Sequence, residues 1–342
     1  MRIQTSIECA VGRAVLLVMA ALVLSACERP PVDTEQKGYR GLGIVQNINP
    51  RTLKKEIAEN VVPVATPMVP AGGPTAGEVF KNVEVLGDLS VGQFTRLMTS
   101  ITEWVAPEQG CAYCHSLQDL ASDELYTKQV ARAMIKMTRD SNQNWQSHVG
   151  GTGVTCYTCH RGNPVPAYVW SEGAAQAHAL GINATMQNIA SKSVGYTSLP
   201  FDPLTAYLGE NNQIRVVSDT ALPAGGDEKS IKQTEKTYGL MMYFSDSLGV
   251  NCTYCHNSRS FLSWDQSPPQ RATAWHAIRH VREINGVISS LSGILPGDRK
   301  GVLGDPYKVG CKTCHQGIYK PLFGANMLKD YPSLAATPAQ NN

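Results

Sequence analysis

Three observations on this sequence of 342 residues predict a mainly α-helical chain with extensive irregular structure, built as two similar halves. Four stretches carry apolar residues at helical spacing. Between them Pro and Gly are frequent, at 20 and 30 residues, while Phe is scarce at 6, so side chains alone offer little for one broad core. The third is the pentapeptide Cys-x-x-Cys-His, which occurs at residues 111–115, 156–160, 252–256 and 311–315 and takes up every cysteine after Cys27.

That pentapeptide is the attachment signature of a c-type haem. Two residues between the cysteines let both sulfurs reach the two vinyl carbons on one edge of the porphyrin, and the next residue brings an imidazole beneath the iron. Thioethers are therefore expected at Cys111 and Cys114, Cys156 and Cys159, Cys252 and Cys255, and Cys311 and Cys314, with His115, His160, His256 and His315 as axial ligands. A redox dithiol or half a zinc site uses the same two cysteines, but neither calls for four adjacent histidines. Four covalently bound haems make the chain a multihaem cytochrome c of two pseudo-symmetric dihaem halves. Its haems form the core, because large apolar cofactors supply interior surface. A formal net charge of +2 says nothing strong about partners, and no Lys/Arg run suggests nucleic acid, so none is expected.

Residues 1–26 read as a signal peptide of lipoprotein type. Arg2 and Arg13 lead into an apolar run over residues 14–24, too short to span a membrane. It ends in Leu24-Ser25-Ala26-Cys27, which resembles the bacterial lipobox, and acyl chains on Cys27 would anchor the protein without a transmembrane helix. Haem attachment in bacteria takes place outside the cytoplasm, so both signals indicate the periplasmic face of the inner membrane. Residues 27–80, with Pro63, Pro67, Pro70 and Pro74 and one brief helix over 53–59, form an extended, lipid-anchored arm. A first dihaem segment over 81–170, a connection over 171–227 and a second dihaem segment with the C-terminal tail over 228–342 complete the chain.

In the first segment Ser90 and Gln93 make a capping box. Phe94, Leu97, Met98, Ile101 and Val105 then recur at helical spacing until Pro107. A six-coordinate electron carrier needs a second axial donor, and Met98 precedes Cys111 by 13 residues. Ser122, Asp123 and Glu124 open a second helix that fades near Asn142 and carries Tyr126, Val130, Ala133, Met134 and Met137 on one face. Either Met can reach the second haem, and His148 stands in the loop that follows. A third helix starts at Ser230, carries Ile231, Thr234, Tyr238, Met241, Ser245 and Leu248 on one stripe, and ends at Gly249. Met242 lies about 100° off that stripe, so Met241 is the donor expected there. The fourth helix, roughly 271–291 with Trp275, Ile278 and Val281 inward, contains no Met. Its haem must draw on His148, His178, His276 or His280, of which local sequence favours His280 or His276.

Longer strings narrow the choice. Residues 101–105 (Ile-Thr-Glu-Trp-Val), 153–162 around the second motif, Leu240-Met241-Met242 with 245–249, Cys314-His315-Gln316-Gly317 and 320–325 closely resemble the tetrahaem cytochrome subunit of purple-bacterial photosynthetic reaction centres. The resemblance runs from 38–42 to 328–332 and is weakest over 170–198. It implies that Met98, Met134 and Met241 cap haems one, two and three, and that His148 crosses from the first half to cap haem four. It further implies electron transfer rather than enzymatic catalysis, since no iron keeps an open position. Electrons would come from a soluble cytochrome c or a high-potential iron–sulfur protein and go to the photo-oxidised bacteriochlorophyll pair of the L and M subunits, with H in the same complex. The first-motif haem would lie farthest from that pair and the third-motif haem nearest. Around the first motif no Lys or Arg occurs between Arg96 and Lys128, whereas Glu103, Glu108, Asp119, Asp123 and Glu124 do, which suggests an acidic face for a basic donor. Arg259, Arg271, Arg279 and Arg282 are candidates to balance haem propionates.

Overall fold

The computed structural model describes residues 32–36, 45–173, 189–216 and 231–335. The signal peptide, Cys27, His178 and Ser230 lie outside the described residues.

Helices dominate, joined by long irregular connections. The arm carries more structure than expected: β1 (Asp33–Gln36) pairs antiparallel with β2 (Val45–Ile48), and α1 (Pro50–Glu59) follows, capped by Asn49. Beyond α1 the Pro-spaced segment is stitched to α2 (Val91–Val105). The Arg96 guanidinium donates to the carbonyls of Thr66 at 2.6 Å and Pro67 at 2.8 Å.

The capping box of α2 is present, with Gln93 N donating to Ser90 Oγ and Ser90 N to Gln93 Oε1, both at 3.3 Å. The next helix, α3 (Tyr126–Asn144), begins later than the expected cap at Ser122. The reason is Lys128, only 7% exposed, whose Nζ donates to the carbonyls of Leu120, Ala121 and Ser122 and winds that segment into a loop around the ammonium. A single turn, α4 (Gln146–Val149), carries His148, and the second motif is itself a short helix, α5 (Cys156–His160).

In the second half α6 (Ile231–Leu248) ends at Gly249, as expected, but its buried stripe is Leu240, Tyr243 and Ser247. Tyr238 is exposed, because α6 turns its Gly239 side to Pro203 and its Tyr243 side to Gly310. In α7 (Gln270–Ser290) Ile278 and Val281 point inward, but Trp275 is 46% exposed with the Arg279 guanidinium 4.6 Å above its ring. The fourth motif forms α8 (Cys311–His315).

Side chains fill two apolar clusters. One joins Leu97 and Trp104 of α2 and Ile135 of α3 to Leu322, Met327, Tyr331 and Leu334 of the tail. The other joins Leu240 and Tyr243 of α6, Ile278 and Val281 of α7 and Cys311 of α8 to Leu204 and to Tyr207 and Leu208 in the π-helical turn that follows it. Each large apolar side chain so enclosed contributes about 1.5–3 kcal/mol. The tail, grouped by sequence with the second segment, therefore packs on the first cluster. Tyr331 sits edge-on to Trp104 at 4.5 Å and accepts hydrogen bonds from Thr66 N and Ser100 Oγ, both at 3.2 Å.

Candidate haem-binding sites

The four motif histidines are each held through Nδ1 by a backbone carbonyl, in two patterns. Motifs one and three lie in 3₁₀ turns, and His115 and His256 donate to the carbonyl five residues on, Leu120 O and Phe261 O, both at 3.0 Å. Motifs two and four are the helices α5 and α8, and His160 and His315 donate to the carbonyl three residues on, Asn163 O at 2.8 Å and Ile318 O at 3.0 Å. A carbonyl only accepts, so the proton sits on Nδ1 and the Nε2 lone pair is left for a metal. Burial holds His160, His256 and His315 below the usual imidazole range, which keeps them in that neutral form.

Motifs two and four share the rest of their scaffolding as well. Thr158 Oγ1 accepts from Thr155 N, and Thr313 Oγ1 accepts from Gly310 N, both at 2.9 Å, so each helix is capped by its own third residue. Past the histidines, Arg161 and Gln316 adopt left-handed backbone at φ 50° and 49°. Gly162 N then donates to Trp104 O at 2.8 Å, and Gly317 N to Ser247 O at 2.9 Å; each acceptor lies six residues after the candidate Met98 or Met241.

Two buried asparagines complete the match, and neither was singled out from the sequence. Asn142 of α3 accepts from Val154 N at 2.7 Å and donates to Val154 O at 2.9 Å. Asn285 of α7 accepts from Val309 N at 2.9 Å and donates to Val309 O at 3.0 Å. Both valines stand two residues before a motif's first cysteine.

The cysteines divide by depth. Cys111 and Cys252 are exposed, Cys114, Cys156 and Cys255 half-buried, and Cys311 buried. Desolvation pushes the thiols of Cys156 and Cys311 up to about 12 and those of Cys114 and Cys255 up to about 11. Cys159 and Cys314, expected as thioether donors to two different haems, are bonded to each other instead, with Cα atoms 4.4 Å apart and 155 residues between them in sequence. A sulfur in that bond has no valence for a vinyl carbon, so disulfide and thioether are alternative states of these two cysteines, and the other six motif cysteines are free thiols. Proximity is the reason: α5 and α8 meet at their fourth residues.

Met98 and Met241 are half-buried and pack against the first and second cluster respectively. Met134 is half-buried too. Met137 faces elsewhere, into a cavity of about 290 Å³ between α3 and α7 that His280 also lines.

His148 meets both halves. Its ring lies 6.2 Å from that of His315, centroid to centroid, with the planes 23° apart. Two imidazoles on opposite sides of one metal, each bonded at about 2 Å, bring their ring centres to roughly 6 Å. His148 Nδ1 is 2.9 Å from His280 Nδ1, and His280 Nε2 is 2.8 Å from Ser141 Oγ, so both nitrogens of His280 are engaged. Burial, first among the causes, drives His148 down to about 3 and His280 to about 4.

Among the described residues no three His, Cys, Asp or Glu side chains gather as in a protein-only metal site. Each motif offers one imidazole nitrogen beside its cysteines, which fits an iron whose in-plane donors belong to a porphyrin. The sequence profile of the family described as "Photosynthetic reaction centre cytochrome C subunit" matches residues 28–335. The chain belongs to that family. A "Photosynthetic reaction center cytochrome c subunit" from Rubrivivax gelatinosus is 55% identical over 326 residues, covering 94% of this chain and 88% of its own length. The protein of the same name from Thermochromatium tepidum is 52% identical over 323 residues, with coverages of 94% and 80%. More distant is a "Cytochrome c-554" of Chloroflexus aurantiacus, 29% identical over 304 residues, covering 72% and 70%.

In this cytochrome subunit the acidic stretch is not uniform. Glu103, Glu108, Asp119 and Glu124 are exposed. Asp123 is exposed as well but already paired, 3.0 Å from Arg132 and 3.2 Å from Lys128, and bonds to Arg132 and Asn82 hold its carboxyl well below the usual range. Its charge belongs to the fold more than to a partner. Arg271 donates to Ser263 O and lies over the Trp264 ring, while Arg282 donates to Tyr207 O and Asn211 Oδ1, so these two candidates for propionates have protein partners. Among the described residues no helix is long and apolar enough to cross a membrane.

Proposed function

We propose that this cytochrome subunit is a tetrahaem electron carrier that takes electrons from a soluble periplasmic donor and returns them to the photo-oxidised bacteriochlorophyll pair. The observation that carries the reading is the set of four motif imidazoles, each with Nδ1 tied to a carbonyl and Nε2 left for iron. Bound c-type haem supplies a one-electron Fe(III)/Fe(II) couple. The chain's part is to fix both axial donors and the surroundings of each iron, for which we assign Met98 with His115, Met134 with His160, Met241 with His256, and His148 with His315. With every iron six-coordinate, no substrate position remains. The recurrence of one geometry in motifs one and three and another in motifs two and four supports two duplicated dihaem halves.

Cys159 and Cys314 are assigned thioethers in the mature protein; the disulfide and the thioethers are mutually exclusive fates of the same sulfurs. The partners are the L and M subunits, with H in the same complex, and a soluble cytochrome c or high-potential iron–sulfur protein. Cys27 carries the lipid that holds the subunit on the periplasmic face. Flash excitation of native membranes under reducing conditions tests the function: fast loss of the reduced haem α-band, matched by recovery of the oxidised pair, is expected. Haems that reduce with dithionite yet never respond to light would refute it. Intact-mass analysis tests the count, with a mass increment of four haems and no residual free thiol in the motifs.

A further inference from the structure

We infer that His280 is a positioning residue for the His148 imidazole, fixing its proton, its ring plane and its donor strength toward the fourth iron. The inference rests on the reading of His148 as that iron's axial ligand. Between His148 Nδ1 and His280 Nδ1, 2.9 Å apart, there is room for a single proton. If His148 is to offer Nε2 to a metal while neutral, its proton must sit on Nδ1, and His148 is then the donor. His280 accepts at Nδ1, carries its own proton on Nε2, and donates to Ser141 Oγ at 2.8 Å. The opposite arrangement would leave the His148 proton on Nε2 and block coordination, so the tautomer of His280 and the ligating power of His148 are one choice.

The surroundings hold His280 in place for this. It is 3% exposed, and the Trp145 ring stacks on it at 5.1 Å with planes 19° apart. Trp145 is itself tied to α7 by donating from Nε1 to Glu283 Oε1 at 3.2 Å. His148 stands nearly perpendicular to His280, at 74°, and nearly parallel to His315, at 23°. One ring is thereby oriented by its neighbour and held close to the motif histidine across the site.

The acceptor also differs in kind. The four motif histidines give their Nδ1 proton to a backbone carbonyl, whereas His148 gives it to an imidazole nitrogen, a much stronger base. Such an acceptor raises the electron density of the ligating ring, which favours Fe(III). His280 therefore lowers the midpoint of this haem below that set by bis-imidazole ligation alone.

The test is a redox titration and low-temperature electron paramagnetic resonance of the haem-loaded subunit in native membranes. In His280→Leu the acceptor is gone: the bis-imidazole haem should shift its Fe(III)/Fe(II) equilibrium at least tenfold toward Fe(II), about 59 mV upward for one electron. Its low-spin g values should change while the three Met-ligated haems keep theirs. In His280→Asn, Oδ1 replaces Nδ1 with a weaker acceptor, so the g values should stay near wild type and the midpoint should rise by less. Unchanged midpoint and g values in the Leu variant overturn the inference. If that variant does not assemble, an unchanged midpoint in the Asn variant does so. His148→Ala tests the underlying reading separately: one ferrous haem should become five-coordinate and bind carbon monoxide. Failure to do so removes His148 as ligand whatever His280 shows.

Discussion

Asn285→Leu is the sharpest test of the scaffolding that presents the fourth motif. The substitution keeps the branched outline of the side chain and removes three hydrogen bonds: the one accepted from Val309 N at 2.9 Å and those donated to Val309 O at 3.0 Å and Leu208 O at 2.9 Å. Val309 O retains Trp170 Nε1 as a donor at 3.0 Å, so the groups left without a protein partner are the Val309 N–H and the Leu208 carbonyl. Asn285 is 2% exposed, and water has little access to either group. Each unsatisfied buried group costs about 1–3 kcal/mol. Relief from burying the amide offsets part of the sum, which leaves a loss of about 3 kcal/mol. At about 2–4 °C per kcal/mol for a large domain, the midpoint of thermal unfolding should fall by about 6–12 °C. Circular dichroism at a fixed scan rate reads this, and Asn142→Leu should give a drop of similar size through Val154 and Leu334. A fall of less than about 2 °C in both variants would mean that the paired asparagines do not hold the motif helices.

Other expectations follow from single features. At Gly249, with φ +62°, an added Cβ would lie 1.9 Å from Gly317 O, so Gly249→Ala should cost at least about 3 kcal/mol, against about 1 kcal/mol at Gly304 (φ +84°), where nothing lies within 4 Å; urea unfolding separates the two. In chain prepared without haem, Cys111 and Cys252 should be alkylated first; Cys311, pushed up to about 12 from 9.0, holds about a thousandfold less thiolate and should lag by at least about 100-fold in peptide mapping. Replacing Glu103, Glu108 and Glu124 by Gln should slow reduction by a basic soluble donor about tenfold at low salt and little at high salt, whereas Asp123→Asn should leave that rate near wild type. The Asp123 carboxyl is depressed in the folded state, so its stabilisation is present above the unfolded carboxylate range and lost as pH falls through the lower folded value. Asp123→Asn should therefore destabilise the subunit at neutral pH and converge with wild type in strong acid.

What could be read in advance was local. The Ser90–Gln93 box, the stop at Gly249 and the four pentapeptides depend on residues within one turn of each other, and each appears where its spacing indicated. Burial on a helix face depends on what packs against it, which is why Trp275 and Tyr238, inward by spacing, lie outward. Partners separated by more than a hundred residues leave no periodic trace: His148 with His280, Asn142 with Leu334, Tyr331 with Thr66. One signal of the two patterns is in the sequence all the same. The residue before the second cysteine is Tyr113 and Tyr254 in motifs one and three, but Thr158 and Thr313 in motifs two and four, where the hydroxyl caps the motif's own helix.

That difference bears on what each pair of motifs is for. A threonine that closes its own helix lets motifs two and four sit deep, with Cys311 buried, Cys156 half-buried, and Cys159 and Cys314 meeting at a Cα separation of 4.4 Å. A tyrosine cannot cap in this way, and motifs one and three form looser turns whose leading cysteines, Cys111 and Cys252, reach the surface. On the proposed reading the inner pair shields its irons from solvent and joins the two halves, while the outer pair offers an edge to a partner. The exposed side chains near each outer motif differ accordingly: Leu117 and Leu120 with Glu108 and Asp119 around the first, and Phe261, Leu262 and Trp264 around the third. A mixed acidic and apolar rim suits a donor that must dock and leave. An aromatic rim suits a lasting interface, where burial of large rings dominates binding. Trp264→Ala should consequently loosen the subunit from its membrane complex in detergent, leaving the rate of reduction by the soluble donor intact, and Leu120→Ala should do the reverse. Loss of both properties in either variant would show that the two ends do not act separately.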